Sequence, residues 1–420
     1  MNESKKLPLW PALTSYLIGF LWVCCFLTGF WEPAWDGRIT HGYPLYPLLF
    51  CAVFFPWAGF SLAGKKAPRE HIFWLVCALL IALAIACKRS RAAGFWAYFA
   101  LHGLAAYWVV CRSGLLTEGE SGVALLPDLL NALIVFPFGG FFLRIGTVFS
   151  RLMNAVGSRR CADPGSRKNL LISLLIILCA LPFLILAGSL LGQADESFRQ
   201  LLSGMIGFLT FPQGVPRWAE EVGYRFLLGL PVGAYLFGLV GTCLRRTEPV
   251  RHAPGSLRFA PSAALIAVFC GFCGLYLLFF VVQAGHLLGA FFGSVPGTLT
   301  AAQYAREGFF QLCLVMAVNF GLLFAASAIS RTPLTEHRGL RRCADVLMAQ
   351  SILLAVTAAG RLGLYIRRFG FTPLRLLSMW GILVLTAGCV FSLWHLHGGR
   401  KAMKSWLFFT AATFTALCFY

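Results

Sequence analysis

Apolar residues run along this chain in blocks of about twenty, each bounded by a short basic cluster or by Gly and Pro, with no strict polar alternation inside them. Taking those clusters and breakers as boundaries, the pattern predicts spans near 9–30, 45–63, 71–87, 92–111, 170–192, 222–244, 259–284, 308–330, 346–367, 374–396 and 405–420. Backbone N–H and C=O groups in hydrocarbon find no water, so each block must satisfy them as a helix or within a closed barrel. A helix of about 20 residues crosses a ~30 Å hydrocarbon core, whereas a membrane strand needs only about 10. The expected fold class is therefore all-α, a polytopic bundle of transmembrane helices with about 11 spans and a range of 10 to 12. The segment from Leu125 to Phe149 is apolar but broken by Pro137, Gly139 and Gly140, and it carries Arg144. It reads as re-entrant, interfacial or a twelfth span. The chain divides into an N-terminal group of spans (1–124), this segment with a basic loop (125–169), and a C-terminal bundle (170–420) that carries the candidate site.

Composition strengthens this reading. Hydrophobic residues make up 59% and charged residues 12% of the 420, the latter about half the usual fraction of a soluble domain, so a water-soluble fold has nowhere to put the apolar surface. The net charge of +19 lies in short clusters between spans, where it sets orientation and meets anionic headgroups rather than nucleic acid. Basic loops at 151–168, 245–258, 331–342 and 400–404 are expected in the cytoplasm; Lys5, Lys6, Lys65, Lys66 and Arg69 favour a cytoplasmic N-terminus. That arrangement puts Lys88, Arg89 and Arg91 outside and requires 125–149 not to cross. The first span is long and lacks a small-residue cleavage site, so it is expected to remain as an anchor. Most of the 15 cysteines fall inside spans as small apolar packing residues, and Cys270 and Cys273 form a C-x-x-C with no second pair or His to complete a metal site. No cofactor or metal is expected.

Three stretches carry candidate chemistry. The first, Gly285 to Phe310, is too Gly-rich to continue the preceding helix and reads as a short dipping segment; Thr300 and Gln303 then form a capping box that starts a helix at Ala301. At about 100° per residue Tyr304, Glu307, Gly308, Gln311 and Asn319 form a polar stripe running inward from the outer surface, with Arg306 beside it. The bland alternative is that Gln311 and Asn319 bond neighbouring helices and Glu307 is solvated. The second stretch, Gly360 to Arg375, places arginines on the expected outer side. Gly370 suits a helix C-terminus, Thr372 an N-cap and Pro373 a first helical position, which explains the turn, and Arg367 and Arg368 suit a helix C-terminus. Arg361, about 12 Å below the helix end, and Arg375, at a helix N-terminus, are not covered by that account. Gln350, Thr357, Arg361 and Arg368 share a face, with Tyr365 at its edge. An ionised arginine at that depth needs a partner or water, and Glu307, then Asp195, are the candidate partners. The alternative is that Arg361, Arg368 and Arg375 hold a phosphate or carboxylate. The third stretch runs from Asp195, Glu196, Phe198 and Arg199 to Glu220, Glu221, Tyr224 and Arg225 and reads as an amphipathic surface helix. His102, His286 and His395 lack ligand spacing and read as packing or interface residues.

In YAREGFF (Tyr304 to Phe310), in R-L-G-L-Y-I-R-R-F-G-F-T-P-L-R (Arg361 to Arg375) and more weakly in Ala194 to Phe198, the chain resembles a family of bacterial integral membrane proteins catalogued as a domain of unknown function, over roughly residues 45–400. The resemblance implies a bacterial cytoplasmic-membrane protein of this helical architecture without an established activity. Members with this pattern often continue into an extracytoplasmic tail, whereas this sequence stops at Tyr420.

No G-x-S-x-G, H-E-x-x-H, P-loop or post-strand GxGxxG occurs, and the loops are too short for a nucleotide-hydrolysing domain. The leading expectation is a protein that handles or senses an anionic ligand, such as a lipid headgroup or small acid, at the outer half of the bilayer. A membrane enzyme using Glu307 or Asp195 on a lipid-linked substrate is one alternative. A regulatory or scaffolding subunit is the other, with GxxxG spacings at Gly229–Gly233, Gly285–Gly289 and Gly293–Gly297 as contact surfaces for a membrane partner.

Overall fold

A computed structural model of the chain describes residues 7–30, 45–87, 92–148, 200, 217–250, 258–291, 301–399 and 401–420, with the side chains of 27–30, 217–221, 283–291 and 301–308 outside that description. The described residues are helical in the main and carry no β-strand beyond one bridged pair. In chain order the helices are α1 (Leu9–Phe30), α2 (Tyr46–Ser61), α3 (His71–Ala86), α4 (Phe95–Arg112), α5 (Leu125–Leu130), α6 (Phe136–Gly139), α7 (Arg217–Arg245), α8 (Ser262–Phe291), α9 (Ala301–Ile329), α10 (Arg338–Phe369), α11 (Pro373–Leu396) and α12 (Ala402–Leu417). Among the described residues six of these are long and apolar enough to cross a membrane: α1, α7, α8, α9, α10 and α11. Large side chains such as Leu277, Val281, Leu314 and Val318 are exposed on their outer faces, as a bundle solvated by lipid tails requires.

The predicted spans coincide with helices wherever they are described; the span near 170–192 and the segment Asp195 to Arg199 lie outside the described residues. Two expectations are corrected. The Gly-rich stretch after Gly285 does not end its helix, because α8 continues through Gly285 and Gly289 to Phe291. In an apolar setting an unbonded backbone costs more than the weak helix propensity of glycine, so the ladder persists. Glu220, Glu221, Tyr224 and Arg225 belong to the opening turns of α7 rather than to a separate surface helix.

The helices pack in two groups. Buried side chains of α1 to α4, the 125–143 segment, α7 and α12 form one apolar cluster, and those of α8 to α11 form the other. In the first group α1 lies along α7 at glycine distance. A Cβ on Gly19 would overlap the Gly229 carbonyl and the Gly233 backbone nitrogen, so the three glycines permit an approach that side chains would forbid. The Gly229–Gly233 spacing is thus covered within the chain by α1.

Loop contacts fix which helix ends lie together. Lys65 Nζ donates to the Arg246 carbonyl, Arg112 donates to the Lys65 carbonyl at 3.1 Å, and Ala260 bridges to Ser330 and Arg331. Lys404 pairs with Glu70 and with Glu120, both at 2.9 Å, and so ties the start of α12 to the start of α3. One end of the bundle therefore gathers Lys65, Arg112, Arg246, Arg331, Arg338 and Lys404, and we call it the basic end. At the other end Phe371 meets Tyr420 edge to face, which places the α10–α11 corner there. Arg112 at the close of α4 and Arg246 just past α7 share the basic end, so α7 starts from the other end. The 125–139 segment is a broken helix, α5 and α6 joined by a π turn over Asn131–Val135, about 22 Å long and followed by a turn at 140–142.

Two outcomes test this packing. Gly19→Leu is expected to destabilise the protein by at least about 2 kcal/mol in detergent thermal unfolding, while Gly103→Ala, whose Cβ meets nothing within 4 Å, changes it little. Lys404→Met strands the buried Glu70 carboxylate and is expected to remove about 3 kcal/mol, part of which returns in the double variant with Glu70→Gln. The hydrogen bond from Lys404 holds the Glu120 carboxyl below its usual range, so its small contribution is present above the unfolded-state value and disappears as pH falls through the folded one.

Candidate functional site

The corner between α10 and α11 is built by capping chemistry that the sequence announces. Gly370 ends α10 at φ +78°, where its lack of a Cβ is required, and Thr372 caps α11 by accepting from the Arg375 amide at 3.4 Å. Arg375 turns back: its guanidinium lies 4.2 Å from the centre of the Tyr365 ring and donates to the Gly370 carbonyl. A cation in the first turn of a helix meets the positive end of its dipole, and the ring face together with the carbonyl offsets that penalty. Tyr365, Gly370, Thr372 and Arg375 thus close one helical corner. Arg367 and Arg368 are exposed at the C-terminus of α10, where the dipole favours a cation.

Arg361 lies two turns deeper, about 12 Å below Phe369, and is only 7% exposed. Its neighbours along α10 include buried Thr357, Ala358, Leu362 and Leu364. α9 packs along α10 in the opposite direction, and one hydrogen bond fixes their register: Asn319 Nδ2 donates to Ser351 Oγ at 2.8 Å. Counting outward from that rung, Glu307 stands about 18 Å away on α9 and Arg361 about 15 Å away on α10, so their backbones share a level. Tyr304 and Arg306 belong to the turns just beyond. The side chains of Tyr304, Arg306 and Glu307, and Asp195 altogether, lie outside the described residues.

The inward polar stripe is only partly assembled. Gln311 is exposed, whereas Asn319 is fully buried and bonded on both sides. Tyr276 on α8 donates to Asn319 Oδ1 at 2.6 Å, and Ser351 in turn donates to the Leu347 carbonyl at 2.8 Å. Asn319 therefore joins α8, α9 and α10, the role of a polar residue linking membrane helices. Gln350 adds a second link, donating to the Cys273 carbonyl at 3.0 Å. Cys270 meets Cys343 at 3.8 Å between sulfurs, and both are thiols rather than a disulfide. His102 packs between Trp22, whose indole N–H donates to Nδ1 at 3.1 Å, and Tyr235.

Two features have no role assigned from the sequence: Arg144, which reads there only as a charge in the broken segment, and a cavity. Arg144 is 5% exposed, donates to the Leu230 carbonyl at 2.8 Å and lies 4.0 Å over the Tyr16 ring, with no carboxylate within ion-pair reach among the described residues. A cavity of about 480 Å³ opens at the basic end between α9, α11 and the start of α12, far from Arg361. Its lining comes from separate stretches, Val123, Arg258, the α9–α10 loop and α11 among them, so no local motif signals it.

Long apolar helices with lipid-facing surfaces and charge confined to loops, corners and bonded interior positions define a multi-pass α-helical membrane protein. The chain belongs to the DUF4153 family, a domain of unknown function, which matches residues 75–420 and so takes in the α10–α11 corner, the Asn319 link and most of the cavity wall. Comparison with curated proteins and with solved structures finds no match.

If Arg375 closes the corner as described, Arg375→Ala is expected to lower stability by about 1 kcal/mol and Thr372→Ala by a similar amount, read from thermal unfolding in detergent. Arg375→Lys should fall between, since an ammonium keeps the ring contact but loses the planar fork.

Proposed function

We propose that this is a protein of the bacterial cytoplasmic membrane with its basic end and N-terminus in the cytoplasm, which binds an anionic ligand or lipid headgroup at the outer half of the bilayer in a transport-like or sensor-like role. The orientation rests on the cation excess of loops at one end. The observation that carries the ligand reading is Arg361: a guanidinium buried about 12 Å below the corner, in line with half-buried Tyr365 and exposed Arg368 on one helix face. Such a ladder of donors leads from the surface to a depth where a charge requires an anion, water or carbonyls against it. Guanidinium forks match phosphate and carboxylate geometry, and Glu307, on the same level of α9, is the in-chain carboxylate with which an incoming anion competes.

The test titrates inorganic phosphate and a short-chain phosphatidic acid into the full-length protein in phosphatidylcholine nanodiscs. Arg361→Ala is expected to weaken binding at least about tenfold, Arg361→Lys nearly as much, and Glu307→Gln to strengthen it. Unchanged binding in a folded Arg361→Ala protein, or no binding by the unmodified chain, overturns the reading.

A further inference from the structure

At the end of the bundle opposite Arg361 the structure supports a second, independent site. The 480 Å³ cavity falls inside the ~300–1,000 Å³ range of ligand sites, and its walls are apolar, with Phe324, Phe391 and Trp406 among them. Its depth runs along α9 from Ser330 to Phe320, about 15 Å, from the basic end towards mid-bundle. Beyond that the way is closed at Gly388, where a Cβ would sit 2.8 Å from the Phe320 ring.

The polar groups are what make this more than a packing fault. Arg258, Ser392 and His395 line the cavity, and each makes no hydrogen bond within the chain among the described residues. Of the other lining hydroxyls, Ser327 donates to the Phe324 carbonyl and Ser330 to the Thr332 carbonyl. A guanidinium, a hydroxyl and an imidazole are donors suited to an anion, and no carboxylate lines the cavity to compete for them. Arg258 precedes α8 and Ser392 and His395 stand in the last turns of α11, so all three belong to the bundle end where Arg331, Arg338 and Lys401 already concentrate positive charge, while the lining farther along α9 is apolar.

We propose that this cavity holds an anionic phospholipid from the leaflet at the basic end, with one acyl chain between α9 and α11 and the phosphate on Arg258, Ser392 and His395. Charge complementarity selects this occupant: a neutral chain leaves the three donors unanswered, and a free phosphate leaves the apolar depth unfilled. The site does not depend on the Arg361 reading, and different side chains report on it.

The experiment is native mass spectrometry of the full-length protein released from detergent containing equal amounts of phosphatidylglycerol and phosphatidylcholine of the same chains. The unmodified protein is expected to retain phosphatidylglycerol over phosphatidylcholine by about tenfold. Gly321 lines the cavity and a Cβ there meets nothing within 4 Å, so Gly321→Leu should fill the space without a backbone clash and abolish retention of both lipids. Ser392→Phe fills it from α11 and guards against a folding defect in the first variant, with thermal unfolding as the check on each. Arg258→Gln should keep lipid bound but bring the preference close to one. Equal retention of the two lipids by the unmodified protein, no retained lipid, or undiminished retention in the folded cavity-filled variants overturns the proposal.

Discussion

Charge inside an apolar bundle has to be compensated where it stands, because neither water nor salt reaches it there. This chain meets that constraint in different ways at different depths. Near the basic end, Glu70 is buried but answered by Lys404 and by the Ser121 amide at 2.9 Å, an arrangement that also holds the last helix to the third. Deeper in the same group, Arg144 relies on a carbonyl and the face of Tyr16, a softer form of compensation than a carboxylate. At the opposite end Arg375 uses a ring and a carbonyl in the same way, and Arg361 is buried two turns below the end of α10.

The second helix group is organised around α10, which packs against α8, α9 and α11. Its polar residues are divided by level. Gln350 and Ser351 bind neighbouring helices and set their register, while Arg361, Tyr365 and Arg368 occupy the stretch above that rung. The lower part holds the helices in register, and the upper part carries the side chains proposed to meet a ligand.

Much of this was legible in the amino-acid order. Helix limits marked by capping residues were recovered closely, as at Gly370, Thr372 and Pro373, because caps are local chemistry. The start of α10 was expected near 346 yet falls at Arg338, because its first turns are cationic and lie outside the apolar pattern. The extension of α8 past Gly285 was missed because glycine weakens a helix in water more decisively than in an apolar setting. At the candidate site, depth and face were readable from residue spacing, which placed Arg361 correctly below its helix end. Partners were not: Lys404 with Glu70, Asn319 with Tyr276, and Gly19 with Gly229 depend on how distant segments meet. The helical wheel also grouped Gln311 with Asn319, although the helix turns the first outward and the second inward.

The glycine seam between α1 and α7 carries a consequence for biosynthesis. The surface that α1 needs is made about 200 residues after Gly19, so at about 5–20 residues per second the first helix enters the bilayer roughly 10 to 40 s before its tightest neighbour exists. During that interval its bare glycine face is open to whatever other helix drifts past, and the nascent chain is then most exposed to mispairing or to capture by an insertion chaperone. A chain truncated before Arg217 would never leave that vulnerable state.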